Sequence, residues 1–365
     1  MTTTAPVTTT APVTTTRAER RRFHPLPVAG VDRLCPDAAA VTFAPPVELE
    51  PLFAFRPGQF LTVRRLVDGI EQRRSYSISS PAGKLPRIGV REVPGGALSS
   101  WLVHQVRPGD QVEVQPPSGS FTPDLATPGR HVLVAAGSGI TPVLSVAASV
   151  LADGVSEATV IYGNRRSDTV MFADEVSDLK DAHLGRAQVV NLLSREAQEV
   201  ELLNGRLDGP KLRCLLPALC VPADVDHWWL CGPFGMVADA SEVLHDLGVA
   251  PERVHRELFY VEEVPPEPVR RDEAETGGAA VTVVLDGRST TTTVAWDSAV
   301  LDGAQRVRPD LPFACKGGVC GTCRAKVTEG EVRMRRNFAL EDAEVAAGYV
   351  LTCQSVCVTD AVTVD

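Results

Sequence analysis

The chain has 365 residues, 44% hydrophobic and 22% charged, an ordinary globular balance but too long for one hydrophobic core, so two or three domains are expected. A formal net charge of −10 argues against nucleic acid or an anionic membrane as partner, since both reward a basic surface; it suits a docking partner with a basic patch, or solubility alone. No apolar run reaches the roughly 20 residues of a membrane span, and nine cysteines, four of them clustered near the C-terminus, fit a reducing cytosol better than a disulfide framework.

Residues 1–22 repeat Ala5-Pro6-Val7-Thr8-Thr9-Thr10 and then turn basic, with no apolar stretch behind them. They read as a disordered arm, neither signal peptide nor anchor. Residues 23–127 follow with short alternating stretches, Gln59 to Val63 and Gln111 to Val114, broken at Pro57-Gly58 and Pro108-Gly109. Strands so short, with turns so frequent, predict an antiparallel barrel or sandwich.

The pattern changes over 128–261. His131 to Ala136 and Ala158 to Tyr162 are buried strands, and Pro142 to Leu151 has the composition of a helix; alternating strand and helix predicts a parallel sheet. Residues 262–279, rich in proline, charge and glycine, read as a linker. Residues 280–365 open with a hairpin expected around Asp286-Gly287.

The most specific signal is Cys315-Lys316-Gly317-Gly318-Val319-Cys320-Gly321-Thr322-Cys323 with further cysteines, Cys353 and Cys357, downstream. The C-x4-C-x2-C…C spacing is that of a plant-type [2Fe-2S] site. Gly317, Gly318 and Gly321 suit a loop that aims amide N–H groups at sulfur. Structural zinc or four buried thiols are the alternatives, although zinc modules favour paired C-x2-C units.

Three further motifs suit nucleotides. In Arg74-Ser75-Tyr76-Ser77, an arginine suited to a pyrophosphate and an aromatic ring share one strand face, with a hydroxyl following. Gly95-Gly96-Ala97-Leu98-Ser99 precedes an expected helix from Ser99 to Val106, whose N-terminus suits phosphate. Gly137-Ser138-Gly139-Ile140-Thr141-Pro142 follows a buried strand: its glycines admit a diphosphate, Thr141 can cap, and Pro142 suits the first helical turn. Cys231-Gly232-Pro233-Phe234-Gly235-Met236, after the buried strand Trp228 to Leu230, places Cys231 at a carboxyl strand end, where ligands of parallel sheets sit.

In this order the motifs resemble the ferredoxin-NADP reductase superfamily, in the branch with a C-terminal plant-type ferredoxin domain. Stretches around Tyr162-Gly163-Asn164, Cys315 and Leu351-Thr352-Cys353-Gln354 are similar to reductases of the phenylacetyl-CoA epoxidase type, which feed a di-iron oxygenase; NADH-dependent reductases of aromatic-ring or steroid hydroxylases share much of the pattern. The resemblance implies a multidomain fold class: an antiparallel β-barrel flavin domain, an α/β parallel-sheet nucleotide domain and a β-grasp (α+β) ferredoxin domain. It implies FAD and a [2Fe-2S] cluster, with Cys353 as fourth ligand on its Leu-Thr-Cys-Gln context.

Position by position, it implies that Arg74 meets the FAD pyrophosphate, Ser75 lines the same strand, Tyr76 packs on the isoalloxazine and Ser77 reaches its N5 edge. Gly96, Leu98 and Ser99 would hold the diphosphate, while Glu257 and Phe259 close the flavin's other face. Gly137, Ser138, Gly139, Thr141 and Pro142, with Cys231, Gly232, Pro233 and Met236, would hold the nicotinamide coenzyme, with Cys231 near the reacting ring. Ser194-Arg195-Glu196 is similar to a 2′-phosphate site: arginine and serine favour NADPH, while Glu196 speaks for NADH. The implied partner is the oxygenase component of a multicomponent system in the cytoplasm, with hydride entering from NADPH and electrons leaving singly through the cluster. A carrier module without turnover and a zinc-stabilised interaction protein are the readings outside this class.

Overall fold

The computed structural model describes residues 22–259, 277–340 and 342–365. The expected arm lies outside these apart from Arg22, as does the expected linker apart from residues 277–279. Those residues run into the third domain's first strand, so the linker composition there ends earlier than expected.

The first domain holds β1 (His24–Cys35), β2 (Ala38–Phe43), α1 (Glu50–Phe53), β3 (Phe60–Val67), β4 (Ile70–Ser77), β5 (Arg87–Arg91), α2 (Ala97–His104) and β6 (Gln111–Ser118). The strands pair antiparallel in the order β4-β3-β6-β1-β2-β5, and a bridge between Ile78 and Ile88 joins the two ends into a barrel. Alternating side chains fill it, with Leu26, Val41, Leu61, Val63, Ile88 and Val114 at its centre. Helix α2 starts at Ala97 and ends at His104, displaced toward the N-terminus from the expected Ser99 to Val106, because Gly96 takes the cap position.

The second domain runs β7 (Arg130–Ala136), α3 (Ile140–Leu151), β8 (Glu157–Asn164), α4 (Ala173–Ala182), β9 (Ala187–Leu193), α5 (Gly209–Leu219), β10 (His227–Gly232), α6 (Phe234–Asp246) and β11 (Val254–Leu258). Its sheet, in the order β11-β10-β7-β8-β9, is parallel throughout. The chain fills one side of β7 with β8 and β9 and then crosses to lay down β10 and β11. The reversal opens a crevice between the carboxyl ends of β7 and β10, where doubly wound sheets bind ligands.

Helix α3 is buried almost along its whole length because it lies between this sheet and the barrel. Ser145 Oγ donates to Ser80 O at 2.6 Å, and Ser149 Oγ accepts from Ala82 N at 3.0 Å. A Cβ on Gly89 would stand 2.4 Å from Thr141 Cγ2 and 2.7 Å from the Phe172 ring, so only glycine lets the two domains approach here. The rings of Phe121 and Trp229 meet edge to face at 5.0 Å.

The third domain comprises β12 (Gly278–Leu285), β13 (Arg288–Ala295), α7 (Val300–Ala304), β14 (Arg324–Glu329), β15 (Val332–Met334), α8 (Asp342–Ala346), β16 (Tyr349–Leu351), β17 (Ser355–Cys357) and β18 (Ala361–Val364). Its main sheet runs β13-β12-β18-β14-β16, with β12 and β18 parallel and α7 laid across it, a β-grasp arrangement. The β12–β13 hairpin turns on Asp286 and Gly287, at φ 52° and 73°, the two left-handed residues a tight hairpin requires. Among the described residues, no helix is long and apolar enough to cross a membrane.

Candidate flavin, nucleotide and cluster sites

Strand β4 carries the first set of residues. Arg74 is exposed, its Nη1 donating to Arg73 O, while Tyr76 on the same face packs against the barrel core, where burial raises its phenol well above the ordinary value. Ser75 and Ser77 face the other way. Ser75 Oγ lies 3.4 Å from Thr62 Oγ1, and Ser77 Oγ donates to Glu257 Oε2 at 3.0 Å. That last bond joins the barrel to β11 of the parallel sheet. Burial pushes the Glu257 carboxyl up to about 8, against the opposing pull of the Ser77 hydroxyl.

The loop before α2 differs from expectation. Ser99 is buried, its Oγ donating to Gly96 O and accepting from Val93 N, so its hydroxyl braces the turn and is not presented to a phosphate. The Leu98 side chain is in the barrel core. What this segment offers an anion is the N–H groups of the first helical turn, which have no partner within the helix. Gly96 fits because a Cβ there would stand 2.7 Å from Ser99 Oγ and 2.9 Å from Val93 O.

At the crevice, Gly137 adopts φ 55° and its carbonyl accepts from Tyr162 OH at 3.0 Å. Helix α3 begins at Ile140 with Gly139 as its cap, so Thr141 and Pro142 lie inside it. Thr141 is no cap: its Oγ1 donates back to Ser138 O at 2.9 Å. A Cβ on Gly139 would fall 2.1 Å from Cys231 O, so the β7 and β10 motifs touch backbone to backbone. Cys231 is fully buried, in register with Glu257 on the adjoining strand, and burial raises its thiol well above the ordinary value, further still once Glu257 ionises. A Cβ on Gly232 would meet Met236 Cε at 2.9 Å; Pro233 caps α6, and Phe259 packs on the sheet's core.

Gly139→Ala is therefore expected to part these two loops. Reduction of a bound flavin by a nicotinamide coenzyme, the activity that the sequence motifs imply, should then slow about a hundredfold while flavin content stays at the parent level, checked by single-turnover absorbance.

At the end of β9, Ser194 N and Arg195 N donate to Asn164 O and Arg165 O, at 2.9 and 2.8 Å. Arg195 is exposed, whereas Glu196 is engaged: its carboxylate accepts from Ser167 N and Ser167 Oγ, both at 2.9 Å, and these bonds hold it below the usual carboxylate range. The acidic residue that confuses the sequence motif is thus bound to a neighbour far upstream.

Four of the five cysteines of the third domain pair two and two, Cys315 with Cys320 and Cys323 with Cys353. Gly317 N donates to Cys315 Sγ at 3.3 Å, and the amides of Val319 and Cys320 aim at the same sulfur. The hydrogen bond from Cys320 and then these amides hold the Cys315 thiol below its ordinary value, against burial. Cys353 is held down by Cys323 first, then by Gln354 and the Gly318 amide. Gly318 and Gly321 take φ 80° and 66°, as the loop demands, but Gly317 does not; the left-handed residue beside it is Lys316 at φ 51°.

Cys357 packs in the domain core, its thiol raised by burial alone. Among the described residues no three His, Cys, Asp or Glu side chains group to hold a single ion. Two pairs sharing a loop of inward amides suit the two irons of a [2Fe-2S] cluster, whereas tetrahedral zinc needs four thiolates at one point.

Comparison with known proteins agrees domain by domain. Residues 25–122 match an oxidoreductase FAD-binding domain, 133–242 an oxidoreductase NAD-binding domain and 283–358 a 2Fe-2S iron-sulfur cluster binding domain. A 1,2-phenylacetyl-CoA epoxidase subunit from Escherichia coli K12 is 41% identical over 94% of this chain and 97% of its own. The chain belongs to the ferredoxin-NADP reductase superfamily, in the branch with a C-terminal [2Fe-2S] domain.

The ferredoxin reductase component of 3-ketosteroid-9-alpha-monooxygenase from Rhodococcus rhodochrous is 33% identical to this reductase over 92% of it and 94% of that protein. Phthalate dioxygenase reductase shares the fold at TM-score 0.59 and 22% identity, over 94% and 98% of the two chains. The reductase is an NAD(P)H oxidoreductase with FAD, nicotinamide-nucleotide and [2Fe-2S] domains.

Two residues at the crevice escaped the sequence reading. Arg91 crosses from the barrel so closely that a Cβ on Gly137 would lie 3.4 Å from its guanidinium, which also pairs with Asp37. Tyr162 supports the same loop from below. Arg91 sits in an ordinary alternating strand and gives no local signal; Tyr162, a tyrosine inside an apolar strand, calls for a hydrogen-bond partner and could have been found.

Proposed function

We propose that this reductase draws on NADPH and supplies single electrons, through a cluster on Cys315, Cys320, Cys323 and Cys353, to the oxygenase component of a phenylacetyl-CoA epoxidase in the cytoplasm. The observation that carries the reading is the Ser77–Glu257 bond, which places the flavin strand β4 against the carboxyl end of the nucleotide sheet, beside Cys231. When bound, FAD accepts hydride and releases electrons one at a time, and the cluster carries them singly. The chain's own residues position these groups: Arg74 and the first-turn amides of α2 toward the pyrophosphate, Tyr76 and Phe259 toward the flavin faces, Gly137 to Thr141 and Gly232 to Met236 toward the coenzyme.

NADPH is favoured because Arg195 is exposed beside Ser194 while Glu196 is occupied by Ser167. Arg195→Ala is expected to raise the KM for NADPH about tenfold or more, the worth of one charge-assisted phosphate contact, and to leave NADH nearly unchanged; equal losses for both coenzymes would overturn the assignment. The similarity to 3-ketosteroid-9-alpha-monooxygenase reductases supports a second reading, an NADH-dependent reductase of a steroid or aromatic-ring hydroxylase. Reconstitution with epoxidase and hydroxylase components, following NADPH oxidation coupled to product, separates the two: product with the epoxidase component alone is the expected result.

A further inference from the structure

Arg73 plays no part in the flavin site, yet it is only 7% exposed. Its guanidinium is fixed by Glu71 at 2.6 Å and lies between two aromatic rings, 5.1 Å from Phe23 and 4.3 Å from Phe313. Phe23 belongs to the barrel. Phe313 belongs to the ferredoxin domain, just ahead of Cys315, and a second cation, Lys316, stands 4.8 Å from its ring, tethered by Asp302 at 2.8 Å and Gln305 at 2.9 Å. A buried charge on a barrel strand, stacked on a ring from another domain, has the geometry of a desolvated cation–π contact.

A second contact lies on the other side of the cysteine loop. Phe338, whose N–H donates to Gly318 O at 3.1 Å, packs its ring 5.1 Å from Phe234 at 63°. Phe234 opens α6 directly after Cys231-Gly232-Pro233. Both contacts flank the partly exposed cysteines, Cys315 and Cys320, whereas Cys323 and Cys353 are buried inside the domain.

We propose that the outward edge of the cysteine loop is docked on the rest of the reductase at two points, Phe313 on Arg73 and Phe338 on Phe234, and that Arg73 is a positioning residue for electron transfer into the cluster. The inference rests on the electron-transfer reading for its consequence, but not for the docking itself. Arg73 shares its strand face with Ser75 and Ser77, so the contact holds the ferredoxin domain to the strand that carries the flavin residues. The Phe338 contact holds the same domain to the nucleotide crevice. Two anchors on different domains fix an orientation where one would leave a pivot.

The test uses the full chain with its cofactors and two variants on opposite sides of the junction, Arg73→Met, which keeps an apolar stem under Phe313, and Phe338→Ala. Backbone hydrogen exchange over residues 313–320 and 336–340 should quicken about tenfold in each. Reduction of ferricyanide, which takes electrons at the flavin, should hold at the parent rate, while single-turnover transfer into the cluster should slow about tenfold. Parent exchange in either variant overturns the two-point docking, and a parent transfer rate in Arg73→Met overturns its positioning role. Should Arg73→Met fail to hold flavin, Phe313→Leu, which removes the ring on Arg73 from the other side of the junction, is read in its place with the same outcomes. Parent protein lacking cluster absorbance would contradict the electron-transfer reading instead, and the exchange measurement would still decide the docking.

Discussion

Replacing Cys353 by serine is expected to abolish the [2Fe-2S] absorbance and all reduction of cluster-dependent acceptors, while flavin content and its reduction by NADPH persist. Cys357→Ser is expected to keep the cluster. Both thiols are buried close together in the same domain, so burial does not tell them apart. Their partners do: Cys353 pairs with Cys323 and faces the amide of Gly318, whereas nothing but burial acts on Cys357. Serine at position 357 places a hydroxyl in an apolar core, at a cost of about 1 to 3 kcal/mol, which thermal unfolding will record as a lowered Tm with the visible spectrum intact. The opposite pattern, cluster lost with Cys357→Ser and kept with Cys353→Ser, would reassign the fourth ligand.

The second large effect belongs to Glu257. Its carboxyl titrates near 8 in the folded chain against an ordinary 4.5, because burial disfavours the charge more than the Ser77 hydroxyl supports it. At neutral pH it is therefore mainly protonated beside Ser77 and Cys231, and if this is where a bound flavin takes up hydride, as proposed, an ionised carboxylate there would oppose the incoming negative charge. Flavin reduction by NADPH should fall about tenfold per pH unit above pH 8, and Glu257→Gln should remove that limb from the pH profile of single-turnover reduction.

Linkage gives a stability prediction of definite sign. Between pH 4.5 and about 8 the folded chain holds a proton that the unfolded chain has lost, so stability declines as pH rises through this window and is level above it. The ceiling on the loss is about 5 kcal/mol, lowered where water reaches the half-buried carboxylate. The glutamine variant should lack this decline, so its advantage over the parent grows from pH 4.5 to 8; equal pH dependence of denaturant midpoints would contradict the burial assigned to Glu257.

Local features were legible in the sequence because local physics decides them. Asp286-Gly287 announces a hairpin since few residues tolerate left-handed angles in succession, and the structure places both there. The C-x4-C-x2-C spacing announces a cluster loop, and its amides do point at sulfur. The β7 and β10 motifs announce ligand loops, though not that a missing Cβ at Gly139 lets them touch.

What was not legible depended on partners distant in the chain or on competition for one polar atom. The Ser99 hydroxyl, free on paper for a phosphate, is spent on Gly96 and Val93. Thr141 faces its own loop, because the helix starts at Ile140. Glu196 reads as an argument for NADH, and the residue that engages its carboxylate, Ser167, gives no sign of doing so in the sequence. Phe234, Phe313 and Phe338 look like scattered aromatics, and only the packing of three domains shows where two of them anchor a third.

The central claim is that electrons entering at the crevice between β7 and β10 leave through the four cysteines. Anaerobic mixing with NADPH, with flavin absorbance followed in time and the cluster's paramagnetic signal recorded in frozen samples, tests it most directly. Flavin bleaching first, a cluster signal after it, and bleaching without that signal in Cys353→Ser is the predicted result. Stoichiometric zinc with no cluster signal, or a cluster reduced at full rate in flavin-depleted protein, would contradict it.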